Sequence, residues 1–131
     1  MSKYFKYKFK IYYDDTDSGG IVYYANYLKY LERARSEAIY SLGLTNIKLQ
    51  KDYGALIIVK SCNIEYKKPA KFEDELIIIS SILSKTRSSF TMLQIIKKNE
   101  EIISEATVQL VTVNKEGKPI KIPEILNNLL N

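Results

Sequence analysis

A chain of 131 residues with one cysteine, no histidine and a net charge of +5 is the size of a single domain that buries a core without disulfide staples. The lone cysteine excludes an internal disulfide, and the missing histidine excludes every Ser-His, Cys-His and His-metal mechanism, leaving proton transfer to carboxylates, tyrosines, lysines or water. Twenty basic residues against fifteen acidic ones are compatible with a phosphate-bearing ligand, while most of the lysines read as solvated surface and no nucleic-acid partner is expected.

The chain begins by alternating lysine with aromatic residues and offers no long apolar run anywhere, so neither a signal peptide nor a membrane-inserted segment is expected, and a cytoplasmic setting follows. From Phe5 to Tyr13 the odd positions Phe5, Tyr7, Phe9, Ile11 and Tyr13 alternate with lysines, which predicts a first strand with one face on a core. From Asn26 the period changes. Tyr27, Leu28, Leu31, Ala34, Ala38, Ile39 and Leu42 recur at three and four, predicting one long helix with Asn26 as N-cap and Gly43 as its stop. Thr45 to Gly54 reads as a connector with room for a short helical turn.

Four β-rich runs follow, at Leu56 to Lys68, Glu75 to Ser84, Ser88 to Lys98 and Glu101 to Val113, separated by Pro69-Ala70, Lys85-Thr86-Arg87 and Asn99-Glu100. Such short separators predict that consecutive strands are antiparallel neighbours. Asn114 to Lys118 is a turn, and Glu124 to Leu130 a short helical tail. The order predicts an α+β domain over residues 1–131, a five-stranded antiparallel sheet wrapped around one helix. Exposed edges and a wide outer face predict a homodimer or homotetramer.

Between the first strand and the helix, Asp14, Asp15 and Asp17 precede Gly19 and Gly20. An EF-hand alignment starting from Asp15 fails, because its fifth and twelfth positions are Gly19 and Asn26. An Asp15/Asp17 phosphatase pair belongs on a parallel sheet, and this chain alternates strand and helix only once. A third chemistry is acyl transfer, in which a carboxylate attacks a carbonyl or activates water beside a helix N-terminus that stabilises the oxyanion. Spacing alone ranks turn and cap service first for these aspartates and acyl transfer second.

The run from Tyr13 to Tyr27, followed by Glu32-Arg33-Ala34-Arg35, resembles the signature of hotdog-fold acyl-CoA thioesterases of the 4-hydroxybenzoyl-CoA thioesterase and YbgC (Tol–Pal-associated) type. The similarity continues through Val59 to Ala70 and Phe72-Glu73-Asp74. It implies the same helix wrapped by five strands and an acyl-CoA hydrolysed to acid and thiol, with coenzyme A as part of the substrate and neither cofactor nor metal. By resemblance Asp17 is the nucleophile or general base, and the backbone N–H of Tyr24 polarises the carbonyl. Many YbgC-type members carry histidine where this chain has Tyr24, a change that the backbone role survives.

The ligand of hotdog dimers lies between subunits, and Gly20, Tyr23, Asn26, Tyr27, Lys60, Arg87 and Ser88 are the expected substrate-binding residues; Lys60, Lys67, Lys68, Lys71, Lys85 and Arg87 are the candidates for the phosphates, with Arg87 beside Ser88 preferred. Cys62 is expected to be a small buried strand residue, and Glu65 lies either near the cleft or outward. An acyl-carrier protein is an alternative thiol carrier. A non-catalytic hotdog module that binds acyl groups, such a carrier or an envelope-associated partner is the rival reading.

Overall fold

The computed structural model describes residues 3–130, apart from the side chain of Asn128. Strand β1 (Tyr4–Lys10), helix α1 (Asn26–Tyr40), helix α2 (Asn46–Tyr53) and strands β2 (Leu56–Tyr66), β3 (Glu75–Lys85), β4 (Ser89–Lys98) and β5 (Glu101–Val113) are followed by a 3-10 turn and the short helix α3 (Asn127–Leu130). The sheet is five-stranded and antiparallel in the order β1-β3-β4-β5-β2.

Helix α1 lies against the inner face. Its Tyr27, Tyr30, Leu31, Ala34, Ala38 and Ile39 are buried with Ile78, Met92, Ile96 and Val108 from the strands, the apolar burial that holds such a layer together. A fully buried glutamine ties helix to sheet. Gln94 donates to the Leu31 carbonyl and to the Ser80 hydroxyl, each at 3.0 Å, and accepts from the Arg35 guanidinium at 3.0 Å.

Several expectations change. The connector holds a second helix, α2, because Thr45 caps it by accepting the Lys48 N–H and Gly54 ends it at φ 64°. Leu49 then docks in the core at 1% exposure. Strands β2 and β3 are not neighbours: β2 pairs with β5 at one edge and β3 with β1 towards the other. Residues 67–74 carry the chain across, and eight residues reach about 26 Å when extended, more than the three strand intervals of about 4.8 Å that separate β2 from β3. Tyr13 and Leu28, expected inward, are 78% and 50% exposed. Tyr13 falls in a 3-10 turn after the strand has ended, and Tyr30 takes the buried place at 1% exposure.

Cys62 is exposed rather than buried, since it lies on an edge strand. Asn26 is the first helical residue rather than the cap. No helix among the described residues is long and apolar enough to cross a membrane.

Candidate active site

The acidic loop is built outward from Asp15. Its carboxylate accepts the Tyr12 N–H at 2.9 Å and meets Lys29 Nζ at 3.3 Å, and its carbonyl accepts the Tyr23 N–H at 3.2 Å and Asn26 Nδ2 at 2.8 Å. One residue therefore closes the turn before it and holds the start of α1 after it. Burial pushes the Asp15 carboxyl up, but the Tyr12 N–H and Lys29 outweigh it and hold the group below the ordinary carboxylate value. The opposite holds for Tyr30, where burial first and the Asp15 charge next keep the phenol protonated.

Beyond Asp15 the backbone folds into a tight hairpin. Thr16 bridges Val22, the Asp17 N–H donates to the Ile21 carbonyl at 2.8 Å, and the Gly20 N–H donates to the Asp17 carbonyl at 3.1 Å. Gly20 sits at φ +79°, a conformation that side chains disfavour. Asp17 is exposed at this tip, where its Oδ1 accepts the Gly19 N–H at 2.8 Å. Its other oxygen accepts no hydrogen bond among the described residues.

Tyr24 stands two residues before α1, and its N–H meets no acceptor among the described residues. Its carbonyl accepts the Tyr27 N–H at 3.2 Å and the Tyr66 hydroxyl at 3.3 Å. The Tyr66 ring packs 6.3 Å from Tyr24 and 5.0 Å from Tyr27, and Tyr23 lies 5.0 Å from Tyr24. A tyrosine cluster from the residues leading into α1, from α1 and from β2 thus frames the approach to the helix N-terminus, where unpaired N–H groups and the macrodipole favour negative charge.

The crossing segment locks this assembly from beneath. Val22 donates to the Ala70 carbonyl at 2.8 Å, the Ala70 N–H donates to the Tyr27 hydroxyl at 3.1 Å, Phe72 donates to the Gly20 carbonyl at 3.2 Å, and Ile21 bridges Lys71. The participation of Tyr66, Ala70 and Lys29 carries no sequence signal beyond the Pro69-Ala70 break, because each acts across the fold.

The other expected residues divide by place. Gly20 is bonded to Asp17 and Tyr23 packs on Tyr24, while Asn26 donates to the Asp15 carbonyl and the Tyr27 hydroxyl accepts the Ala70 N–H. Lys60 is exposed at the β2 bulge. Arg87 and Ser88 lie in the β3–β4 turn, at the sheet end opposite Asp17, where Ser88 accepts from Thr112 at 2.8 Å and Arg87 from Ile122 at 2.9 Å. Glu65 points outward, paired opposite Glu105. A cavity of about 130 Å³ between the second half of α1 and the sheet, walled by Arg35, Ile57, Phe90 and Met92, includes none of the expected site residues.

A sequence profile of the Thioesterase-like superfamily matches residues 12–130. An acyl-CoA thioesterase YbgC from Haemophilus influenzae is 32% identical over 92% of this chain and 89% of its own length. An acyl-CoA thioester hydrolase YbgC from Escherichia coli is 33% identical over 92% and 90%. The crystal structure of a probable thioesterase from Bartonella henselae superposes with a TM-score of 0.87 at 31% identity, over 92% of this chain and all of that one (100%).

Proposed function

The chain belongs to the thioesterase-like superfamily, and from that premise we propose that it hydrolyses acyl-CoA thioesters with Asp17 as the reactive carboxylate and the Tyr24 N–H as the oxyanion donor. What supports the reading is an exposed Asp17 carboxylate, steadied through one oxygen by the Gly19 N–H, on the loop that runs through Tyr24 into α1, together with a Tyr24 N–H that meets no acceptor among the described residues.

In the reaction, Asp17 either attacks the thioester carbonyl or takes a proton from the attacking water. Negative charge develops on the carbonyl oxygen, where the Tyr24 N–H and the positive end of α1 stabilise it. Collapse breaks the C–S bond, the thiolate leaves and is protonated, and water supplies the oxygen of the free acid. Where Asp17 has attacked, water hydrolyses the resulting anhydride and restores the carboxylate. Tyr23 flanks the acyl path, and Gly20, Asn26 and Tyr27 position the turn and the helix start.

The exposed edge of β2, with Ile58 and Val59 46% and 48% exposed, supports a homodimer built on this strand. Antiparallel pairing of β2 with its copy sets the Tyr66 end of one chain beside the Leu56 end of the other. Arg87 and Ser88 of the second copy then approach the first copy's Asp17, with Lys60 near the two-fold axis, which is the arrangement a phosphate-bearing carrier requires. A cytoplasmic location and an acyl-carrier protein as alternative thiol carrier belong to the same proposal.

The test is thiol release from short, long and aromatic acyl-CoAs by the wild type beside Asp17→Asn. Turnover lowered by at least ~10²-fold in a folded variant is the expected outcome. Undiminished turnover in Asp17→Asn excludes the carboxylate mechanism, and tight acyl-CoA binding without turnover in the wild type assigns the chain to the binding-module reading.

A further inference from the structure

The proposed hydrolysis leaves unused the cavity of about 130 Å³ beside the second half of α1. Its walls differ in character. Glu32, Arg35 and Ser36 stand at i, i+3 and i+4, so one face of α1 supplies a polar wall. Ile57, Phe90, Met92 and Leu110 of the strands supply an apolar one. The space is close to the roughly 150 Å³ that holds a benzene molecule in an apolar cavity, which sets the apolar body of a ligand at one ring or a short alkyl chain.

The polar wall carries a cation without a counter-charge in contact. Arg35 is partly buried and forms no ion pair among the described residues. Its Nη1 donates to Gln94 Oε1 at 3.0 Å, while the Nε2 of the fully buried Gln94 donates to the Leu31 carbonyl and the Ser80 hydroxyl. The amide is thereby locked with its oxygen toward Arg35, fixing the guanidinium while offering it no charge. The other side-chain N–H groups of Arg35 meet no acceptor among the described residues. Glu32, one turn earlier on the same wall, is held aside by the Ser36 hydroxyl, which donates to its Oε1 at 2.9 Å. Burial lowers the Arg35 pKa by more than the Glu32 charge raises it, as expected of a cation that has lost water without gaining a paired anion. A guanidinium so fixed and so little compensated matches the two oxygens of a carboxylate.

We propose that this cavity binds a compact carboxylate, with its anionic end on Arg35 and its apolar body, one aryl ring or a short alkyl chain, against Phe90 and Met92. The site goes beyond thioester hydrolysis at Asp17, and its occupation does not depend on that reaction. Two sources supply the same chemistry. One is a free acid of the kind that thioester hydrolysis releases, and the other is an acyl group that bears a second carboxylate at its far end.

The test titrates benzoate and hexanoate into the full chain, with calorimetry as the readout, circular dichroism to check folding and no thioester present, so the outcome is independent of the Asp17 chemistry. At least one acid should bind saturably, once per chain, and its uncharged amide, benzamide or hexanamide, at least ~10-fold more weakly. Arg35→Gln should weaken the acid at least ~10-fold, and Ile57→Phe should abolish binding by filling the space. Absence of saturable binding of either acid to the wild type, or equal affinity for acid and amide, overturns the proposal without any variant. Affinity unchanged in folded Arg35→Gln or in folded Ile57→Phe places the acid elsewhere and overturns it as well.

Hydrolysis of glutaryl-CoA beside pentanoyl-CoA separates the two sources. A preference for glutaryl-CoA in kcat/KM that Arg35→Gln lowers at least ~10-fold assigns the carboxylate to the acyl group. Equal use of the two thioesters, with Arg35→Gln removing only the binding of the free acid, assigns it to that acid.

Discussion

The Tyr66 hydroxyl donates to the Tyr24 carbonyl across 3.3 Å, joining the last residue of β2 to the peptide just ahead of α1. That peptide orientation fixes where the helix entrance aims its N–H groups. Tyr66 therefore holds the helix entrance, and with it the proposed site, through backbone it does not belong to, and its ring against Tyr27 adds a second hold.

Removing the hydroxyl while keeping the ring separates the two holds. Tyr66→Phe should leave the fold and KM nearly unchanged and lower kcat by about 3- to 10-fold, the equivalent of one net hydrogen bond of about 1 kcal/mol. Tyr66→Ala should lower it further and raise KM. Steady-state kinetics of the two variants make the comparison, and equal KM effects in both would show a binding role for the hydroxyl.

Asp15 and Asp17 should respond oppositely to the same substitution. Asp17→Asn keeps a carbonyl oxygen for the Gly19 N–H, so its thermal midpoint should stay within about 2 °C of wild type while activity collapses. Asp15→Ala strands the Tyr12 N–H and Lys29 and should cost about 1–3 kcal/mol in denaturant unfolding.

The acid limb of stability follows from the direction of the Asp15 shift. Its folded carboxyl titrates below the unfolded value, so its contribution is complete above roughly pH 4 and is lost as pH falls through the lower folded value. Asp15→Asn should therefore unfold with a shallower dependence on acid than wild type, read from denaturant midpoints taken between neutral and strongly acidic pH. Parallel curves would show that Lys29 and the Tyr12 N–H add nothing to the ionised form.

Gly20 tests the turn. No atom lies within 4 Å of where a Cβ would stand, so Gly20→Ala suffers no clash, yet φ +79° makes it unfavourable by about 1–2 kcal/mol. The expected outcome is a modest loss in stability with a larger loss in kcat, because relaxation of φ swings the Asp17 turn away from α1.

Gln94 tests the helix-to-sheet link. Gln94→Leu removes the acceptor of Arg35 and the donor of the Leu31 carbonyl, which should cost about 1–3 kcal/mol in equilibrium unfolding. No loss would mean that apolar packing alone sets the depth of α1.

Local order was legible in this sequence because it rests on short-range chemistry. Period-two alternation marked Phe5 to Phe9, three-four spacing marked α1, and turn residues bounded β3, β4 and β5 close to their observed limits. The acidic run before Asn26, together with its family resemblance, singled out Asp17 and Tyr24 before any coordinates. The missing histidine had already narrowed proton transfer to carboxylates, tyrosines, lysines or water.

Only the tertiary structure decided what depends on chain segments meeting. The strand order could not be read from loop length, since an eight-residue segment can turn back or cross the sheet. That crossing brings Ala70 to Val22 and Tyr27 and clamps the loop. Periodicity placed Tyr13 inward, and Cys62 was expected as a small buried strand residue, whereas the early end of β1 and the edge position of β2 exposed both. Among three neighbouring aspartates, burial and hydrogen bonding separate Asp15, which holds the loop together, from Asp17, which faces solvent. Sequence spacing cannot draw that distinction, because burial and partners belong to the assembled fold rather than to the residue.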